Sequence, residues 1–208
     1  MKLLAPSKKL GRPSATDSVE TRDRIIEVAR ASFATIGYDA TTNRTIAAAA
    51  GITTGAIYHY FPSKLDMYVA SFAQVQNMVT EAVVKAAAPC SNLVDKFSAI
   101  IDALAEVSKN DPSLIGFVVG VAAEARRHPE LSDAIRPLRK DWAVFFQHLC
   151  EDAVANGEVG SAMTARTLQD LFDVMISGLA RFSYVINDRE REDAVIDGLK
   201  RFVAAAVS

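Results

Sequence analysis

The sequence predicts an all-α protein, a small three-helix module followed by a larger helical body. Three observations predict it. Apolar residues recur at steps of three and four along most of the chain, the spacing of one helix face. No stretch shows sustained apolar and polar alternation punctuated by Asn-Gly or Gly-Gly, so no hairpin is signalled. Charge and pattern both change near residue 68. Residues 1–68 hold 9 Lys and Arg against 6 Asp and Glu, a balance of +3, and the remainder holds 14 against 19, a balance of −5. The net charge of −2 therefore hides two halves of opposite sign, and only the first suits a polyanion.

Composition narrows the class further. With 208 residues, 50% of them apolar and 23% charged, the chain can bury a core without metal or disulfide staples and is not a disordered tract. The longest apolar run, residues 114–123, is far short of the roughly 18 to 20 residues of a spanning helix, so no membrane partner is expected. Lys2 is followed only by Leu3, Leu4 and Ala5 before Pro6, too little for a secretory signal, and the cytoplasm is the expected location. Cys90 and Cys150 share no CxxC spacing and read as free thiols of a reducing compartment. Neither a metal site nor a cofactor is expected.

The elements follow in order. Lys8, Lys9 and Arg12 stand among Pro6, Gly11 and Pro13 in a stretch without periodicity, residues 1–15, which reads as a flexible basic arm; taken alone it suits a solubilising tail equally well. Ile26, Ala29, Phe33 and Ile36 carry a helix over about 18–36, with Asp17 and Glu20 as a capping pair and Gly37 as its stop. Thr42 caps a short helix over 43–50 that Gly51 ends, and Thr53 caps another running to about residue 60. Ser63 and Asp66 form a capping box for a longer helix to Pro89. Leu93, Phe97, Ile100, Leu104 and Val107 mark the next, before the break at Asp111 and Pro112. Another covers 114–127, ended by His128 and Pro129. A single helix is predicted over about 131–155, bent at Pro137 and stopped at Gly157. The last two cover about 164–187 and 190–206.

Between Asn43 and Phe61 the spacing restricts geometry. Ala47 and Ala50 are small enough for two helices to cross closely, Gly51 permits the positive φ of a turn, and Ile57 anchors the second helix. The outward positions of that helix are small or polar: Thr54, Ala56, Tyr58 and His59. A major groove about 12 Å wide accepts one such helix, with the residues near its N-terminus reading base edges. Lys64, in the first turn of the following helix, opposes the macrodipole, which argues for an anion nearby such as a DNA phosphate.

Gly37-Tyr38, Thr41-Thr42, Ile46-Ala47, Ala50-Gly51, Gly55, Ile57-Tyr58, Phe61 and Lys64 together resemble the amino-terminal domain of TetR-family transcriptional regulators. The resemblance covers about residues 16–64, and the helical remainder agrees in length and helix order. It implies three parts: the basic arm at 1–15, a helix-turn-helix DNA-binding domain at 16–62, and a helical effector-binding and dimerisation domain at 63–208. It implies that Thr42 and Lys64 contact phosphates and that Thr53, Thr54, Gly55, Ala56 and Tyr58 enter the major groove; Arg44 belongs to the same DNA-binding set. The family often has His directly before the Phe, where this chain has Tyr60 preceded by His59, so either of these two is the DNA contact.

In the helix from Thr164, Leu168, Leu171, Met175, Gly178, Phe182 and Val185 form one apolar seam, and Phe172, Ile176, Leu179 and Ile186 a second. One helix has two faces to bury. With Val195, Leu199, Phe202 and Val203 of the last helix, the first seam suits a four-helix homodimer interface; the other possibility is a helix central to its own core. Phe72, Phe97, Phe117, Trp142, Phe145 and Phe146 fill ordinary core or line a cavity, and the family resemblance implies a pocket there for a small apolar or amphipathic effector. The expected partners are thus double-stranded DNA with a palindromic operator, an effector and a second copy of the chain. The rivals are a helical adaptor that binds only proteins and an α-helical enzyme. The sequence offers no nucleophile elbow or phosphate loop, and His59, His128 and His148 share no metal-ligand spacing.

Overall fold

The computed structural model describes residues 15–186 and 188–207. Ten α-helices occur among them: α1 (Ala15–Ala40), α2 (Asn43–Ala49), α3 (Thr54–Ile57), α4 (Lys64–Ala87), α5 (Leu93–Asn110), α6 (Pro112–Arg127), α7 (Pro129–Ile135), α8 (Lys140–Ala155), α9 (Ala165–Ile186) and α10 (Arg189–Val207). Lys8, Lys9 and Arg12 of the basic arm, and Asn187 at the end of the eighth predicted helix, lie outside the described residues. The described residues contain no strand, in agreement with the all-α prediction. No described helix is long and apolar enough to cross a membrane.

Local chemistry sets the ends. Thr42 caps α2 through its hydroxyl, which accepts the Thr45 N–H, while the Thr45 hydroxyl accepts the Thr42 N–H. Ser63 caps α4 by accepting from Asp66 N–H at 3.2 Å, and Asn92 caps α5 by accepting from Asp95 N–H at 2.9 Å. Asp111 caps α6, with Pro112 at the first helical position, where its missing N–H costs nothing.

Three boundaries differ from the prediction. Gly37 does not end α1: it kinks it at φ 80 and ψ 172, and the helix resumes to Ala40. The second short helix is one turn, Thr54–Ile57, because Tyr60 N–H and His59 N–H bond back three residues, to Ile57 and Ala56, and tighten its end. The single bent helix predicted over 131–155 is two helices, α7 and α8, joined by a 3-10 turn at Arg136–Arg139 that contains Pro137.

Two apolar clusters form the interior. The first gathers Ile25, Ala29 and Phe33 of α1, Ile46 of α2 and Ile57 of α3 around Met67 and Tyr68 of α4, with Phe117 of α6 and Leu131 of α7. The second gathers Val83 of α4, Phe97 and Ile100 of α5, Phe146 and Leu149 of α8, Phe172 of α9 and Ile196 of α10. Packing therefore does not divide between residues 62 and 63. α4 is a strut with one end in each cluster, and α1 packs along α6 as well as α4.

A buried polar knot reinforces that junction. Arg30 on α1 is 4% exposed; it pairs with Asp111 and donates to Gln74 Oε1 at 2.6 Å and Ser113 Oγ at 3.3 Å. A buried guanidinium needs its donors satisfied, and here α4 and the cap of α6 satisfy them.

Candidate nucleic-acid interface and internal cavity

α2 and α3 make a helix-turn-helix held from behind. The turn rests on Gly51 at φ 70, with Ile52 N–H bonded to Ala47 O at 3.0 Å. Ala47 and Ala50 are buried against α1, and Arg24 Nε of α1 donates to Ala50 O at 3.0 Å. Thr53 accepts from Ala56 N–H at 3.2 Å, and Ile57 and Phe61 drop into the core. The Arg22 guanidinium lies 5.1 Å from the Phe61 ring centroid. Arg22 and Arg24, which the sequence reading passed over, thus fix the unit from α1.

What remains outward is one face. Thr42, Arg44, Thr53, Thr54, Gly55, Tyr58 and His59 are exposed, and Ala56 is half-buried. Tyr60 is half-buried and packs against the first cluster, whereas His59 is free of it. Of the two alternatives left open by the sequence, His59 is the one presented to solvent.

Lys64 has a partner that the dipole argument did not foresee. Its ammonium donates to Tyr38 O at 2.7 Å and Asp39 O at 3.4 Å and lies 4.2 Å from the Tyr38 ring centroid. These carbonyls close the C-terminal end of α1, the negative end of that helix's dipole, so a cation in the first turn of α4 requires no external anion. An ammonium has three N–H donors, and one is left over. Burial, with Glu130, Asp39 and Asp66 nearby, holds the Tyr38 phenol above its ordinary pKa and therefore neutral beside the ammonium. Glu124 of α6, 6% exposed, accepts the Tyr38 N–H at 3.2 Å, the donor freed by the kink at Gly37.

A cavity of about 560 Å³ is bounded by α4, α5, α6, α8 and α9, with Arg139 of the 3-10 turn and Glu192 of α10. Of the aromatics predicted for it, Phe72 and Trp142 line it, together with Phe146. Phe97, Phe117 and Phe145 do not. Phe97 stacks on Phe172 at 4.9 Å inside the second cluster, Phe117 packs with Tyr68 at 5.1 Å in the first, and Phe145 meets the edge of Phe146 at 5.2 Å. Aliphatic residues that give no signal in one dimension, Val118, Ile176 and Leu179 among them, complete the wall.

α9 separates its two seams as its pattern suggests. Phe172, 2% exposed, belongs to the core, and Ile176 and Leu179 face the cavity. On the other side Leu171, Val174 and Val185 are exposed, Phe182 is half-buried, and a Cβ placed on Gly178 meets nothing within 4 Å. α10 adds Phe202, 69% exposed, whereas Met175 and Leu199, expected in the same interface, are half-buried and pack against the second cluster. Leu168, assigned to the outer seam, and Val203, assigned to its continuation on the last helix, are buried in the second cluster instead.

Comparison with known proteins bears on these surfaces. A family model described as "Bacterial regulatory proteins, tetR family" matches residues 25–70, the helix-turn-helix and its supports. The HTH-type transcriptional regulator UidR of Escherichia coli (strain K12) is 25% identical over 199 residues, 93% of this chain and 96% of that one. The HTH-type transcriptional repressor BepR of Brucella suis biovar 1 (strain 1330) is 26% identical over 173 residues, 80% and 82% of the two chains. Among solved structures, the transcriptional regulator FadR from Bacillus subtilis in complex with stearoyl-CoA superposes with a TM-score of 0.75 at 20% identity, covering 89% of this chain and 99% of that one.

Proposed function

Because the chain belongs to the TetR family of bacterial regulatory proteins, we propose that it is a sequence-specific, DNA-binding transcriptional regulator, a cytoplasmic repressor released from a palindromic operator by a small-molecule effector. Residues 1–15 are the basic arm, 16–62 the DNA-binding head and 63–208 the effector-binding and dimerisation body. The observation that carries this is the outward face of α2 and α3: seven exposed small, polar or cationic residues on a unit anchored in the core through Ile46, Ala47, Ala50, Ile57 and Phe61. Thr53, Thr54, Gly55, Ala56, Tyr58 and His59 enter the major groove, and Thr42, Arg44 and Lys64 hold phosphates. Lys64 does so with its remaining N–H while its other donors fix the end of α1.

The exposed faces of α9 and α10 pair with their equals in a second copy, giving a two-fold dimer with its recognition helices about 34 to 36 Å apart, one turn of DNA. The effector occupies the cavity and favours a dimer whose heads no longer match that spacing; the FadR structure, with stearoyl-CoA bound to the same fold, supports control of this kind. Arg30 links that cavity to the head, since Gln74 and Asp111 stand beside the wall residues Val75 and Leu114.

Selection of bound fragments from random duplex DNA tests the reading. A palindrome with half-sites about one turn apart is expected, with affinity falling steeply as salt rises. Lys64→Ala should weaken binding to all sequences alike and flatten the salt slope by about one unit, whereas Thr54→Ala or Tyr58→Ala should change which bases are selected. Recovery of no common sequence would remove the proposal.

A further inference from the structure

The effector's chemistry can be read from the shape and walls of the cavity, an inference that rests on the reading of this chamber as the effector site. The cavity is long. Along α9 its wall runs from Arg166 to Ser183, about 25 Å at the rise of an α-helix, while the α4 wall, from Phe72 to Val79, spans only about 10 Å. Its middle is apolar, lined by Val75, Leu104, Val118, Trp142, Ile176 and Leu179.

Polar groups interrupt the wall. Ser183 and Glu192 are half-buried and bonded to each other at 2.8 Å, so they ask nothing of a ligand. Arg139, Arg166, Asp170 and Asp173 also line the cavity and are exposed. Arg166 is paired with Asp170 at 3.2 Å. Arg139 has no carboxylate within ion-pair distance among the described residues, and its guanidinium rests 5.5 Å from the centroid of Phe72, a wall residue. The stripe of Arg166, Asp170 and Asp173 carries one net negative charge and is the rival station, for a cation.

We propose that the cavity takes a single-chain amphiphile with an anionic headgroup, its hydrocarbon lying along α9 and its headgroup on Arg139. A compact ligand would leave much of an elongated apolar chamber unfilled, whereas each methylene of a chain adds burial. A planar guanidinium already held on a ring is prepared to grip a carboxylate.

Trp142 is the only tryptophan of the chain and stands in the wall, so its emission reports occupancy without DNA. The full-length protein would be titrated with octanoate, decanoate, dodecanoate, dodecanol and dodecyltrimethylammonium, each below its aggregating concentration. Saturable change is expected for the carboxylates, with Kd falling about fourfold per added methylene. Dodecanoate should bind about fivefold tighter than dodecanol, the most an exposed ion pair supplies, and Arg139→Gln should bring the two level. Ala180→Phe, which adds a ring to the cavity wall, should abolish the response with helix content unchanged. Absence of chain-length dependence, tighter binding of the ammonium probe, or an unchanged ratio in Arg139→Gln, an exposed position that leaves the core intact, would overturn the proposal. Because no DNA is present, failure here leaves DNA binding standing, and failure of the duplex selection leaves this result standing.

Discussion

Arg30 and Cys150 illustrate how single residues report their surroundings. Arg30 follows Ala29 on the inward side of α1, and a charge at such a position requires built partners; the structure supplies them from α4 and the cap of α6. Cys150 is fully buried in the second cluster, and burial, with Glu151 adjacent, pushes its thiol up to about 12. The native thiol therefore stays protonated at neutral pH, and the thiolate is the nucleophile. Iodoacetamide should label half-buried Cys90 in the folded protein and reach Cys150 only on unfolding, as peptide mapping would show. The sign for stability follows. Above the ordinary thiol value of 9.0 the unfolded chain releases this proton first, so stability from this group declines as pH rises from about 9 to about 12.

At the scale of elements, the kink in α1 leads the chain into the helix-turn-helix. Gly37 holds φ 80 and ψ 172, a conformation restricted almost to glycine, and a Cβ there would lie 3.1 Å from Glu124 Oε1. Gly37→Ala should cost about 2 to 3 kcal/mol in urea unfolding, from backbone strain plus displacement of the carboxylate that accepts the Tyr38 N–H. Gly51→Ala is the control. It too has a positive φ, at 70, but its Cβ would meet nothing within 4 Å, so about 1 kcal/mol is expected.

At the scale of the molecule, one apolar face has no cover within a single chain. Val174 is 67% exposed and Phe202 69%, and both lie with Leu171 and Val185 on the side of α9 and α10 turned away from the core. Exposed apolar side chains on two neighbouring helices are the surface proposed to pair with a second copy. Replacing Val174 and Phe202 with Asp together should yield a monomer by sedimentation with helix content retained. Operator affinity should fall about a hundredfold or more, because two heads no longer bind as one ligand. A dimeric double variant would remove the assignment of this face.

The sequence by itself determined most of the helices, their caps and the outward face of the helix-turn-helix. These depend on neighbours within about four residues: Thr42 and Thr45, Ser63 and Asp66, the glycine at 51 and the threonines at 53 and 54. The two seams of α9 were legible for the same reason, since helical period alone sorts buried Phe172 from exposed Leu171, although it placed Leu168 on the wrong side. Tertiary structure alone decided which long-range groups meet. Lys64 found the carbonyls of Tyr38 and Asp39, and Arg30 found Asp111, across separations that no local pattern encodes. It also decided that Phe97 and Phe117 are core while Phe72 and Trp142 line the cavity, because a ring's role depends on what the other helices leave empty around it.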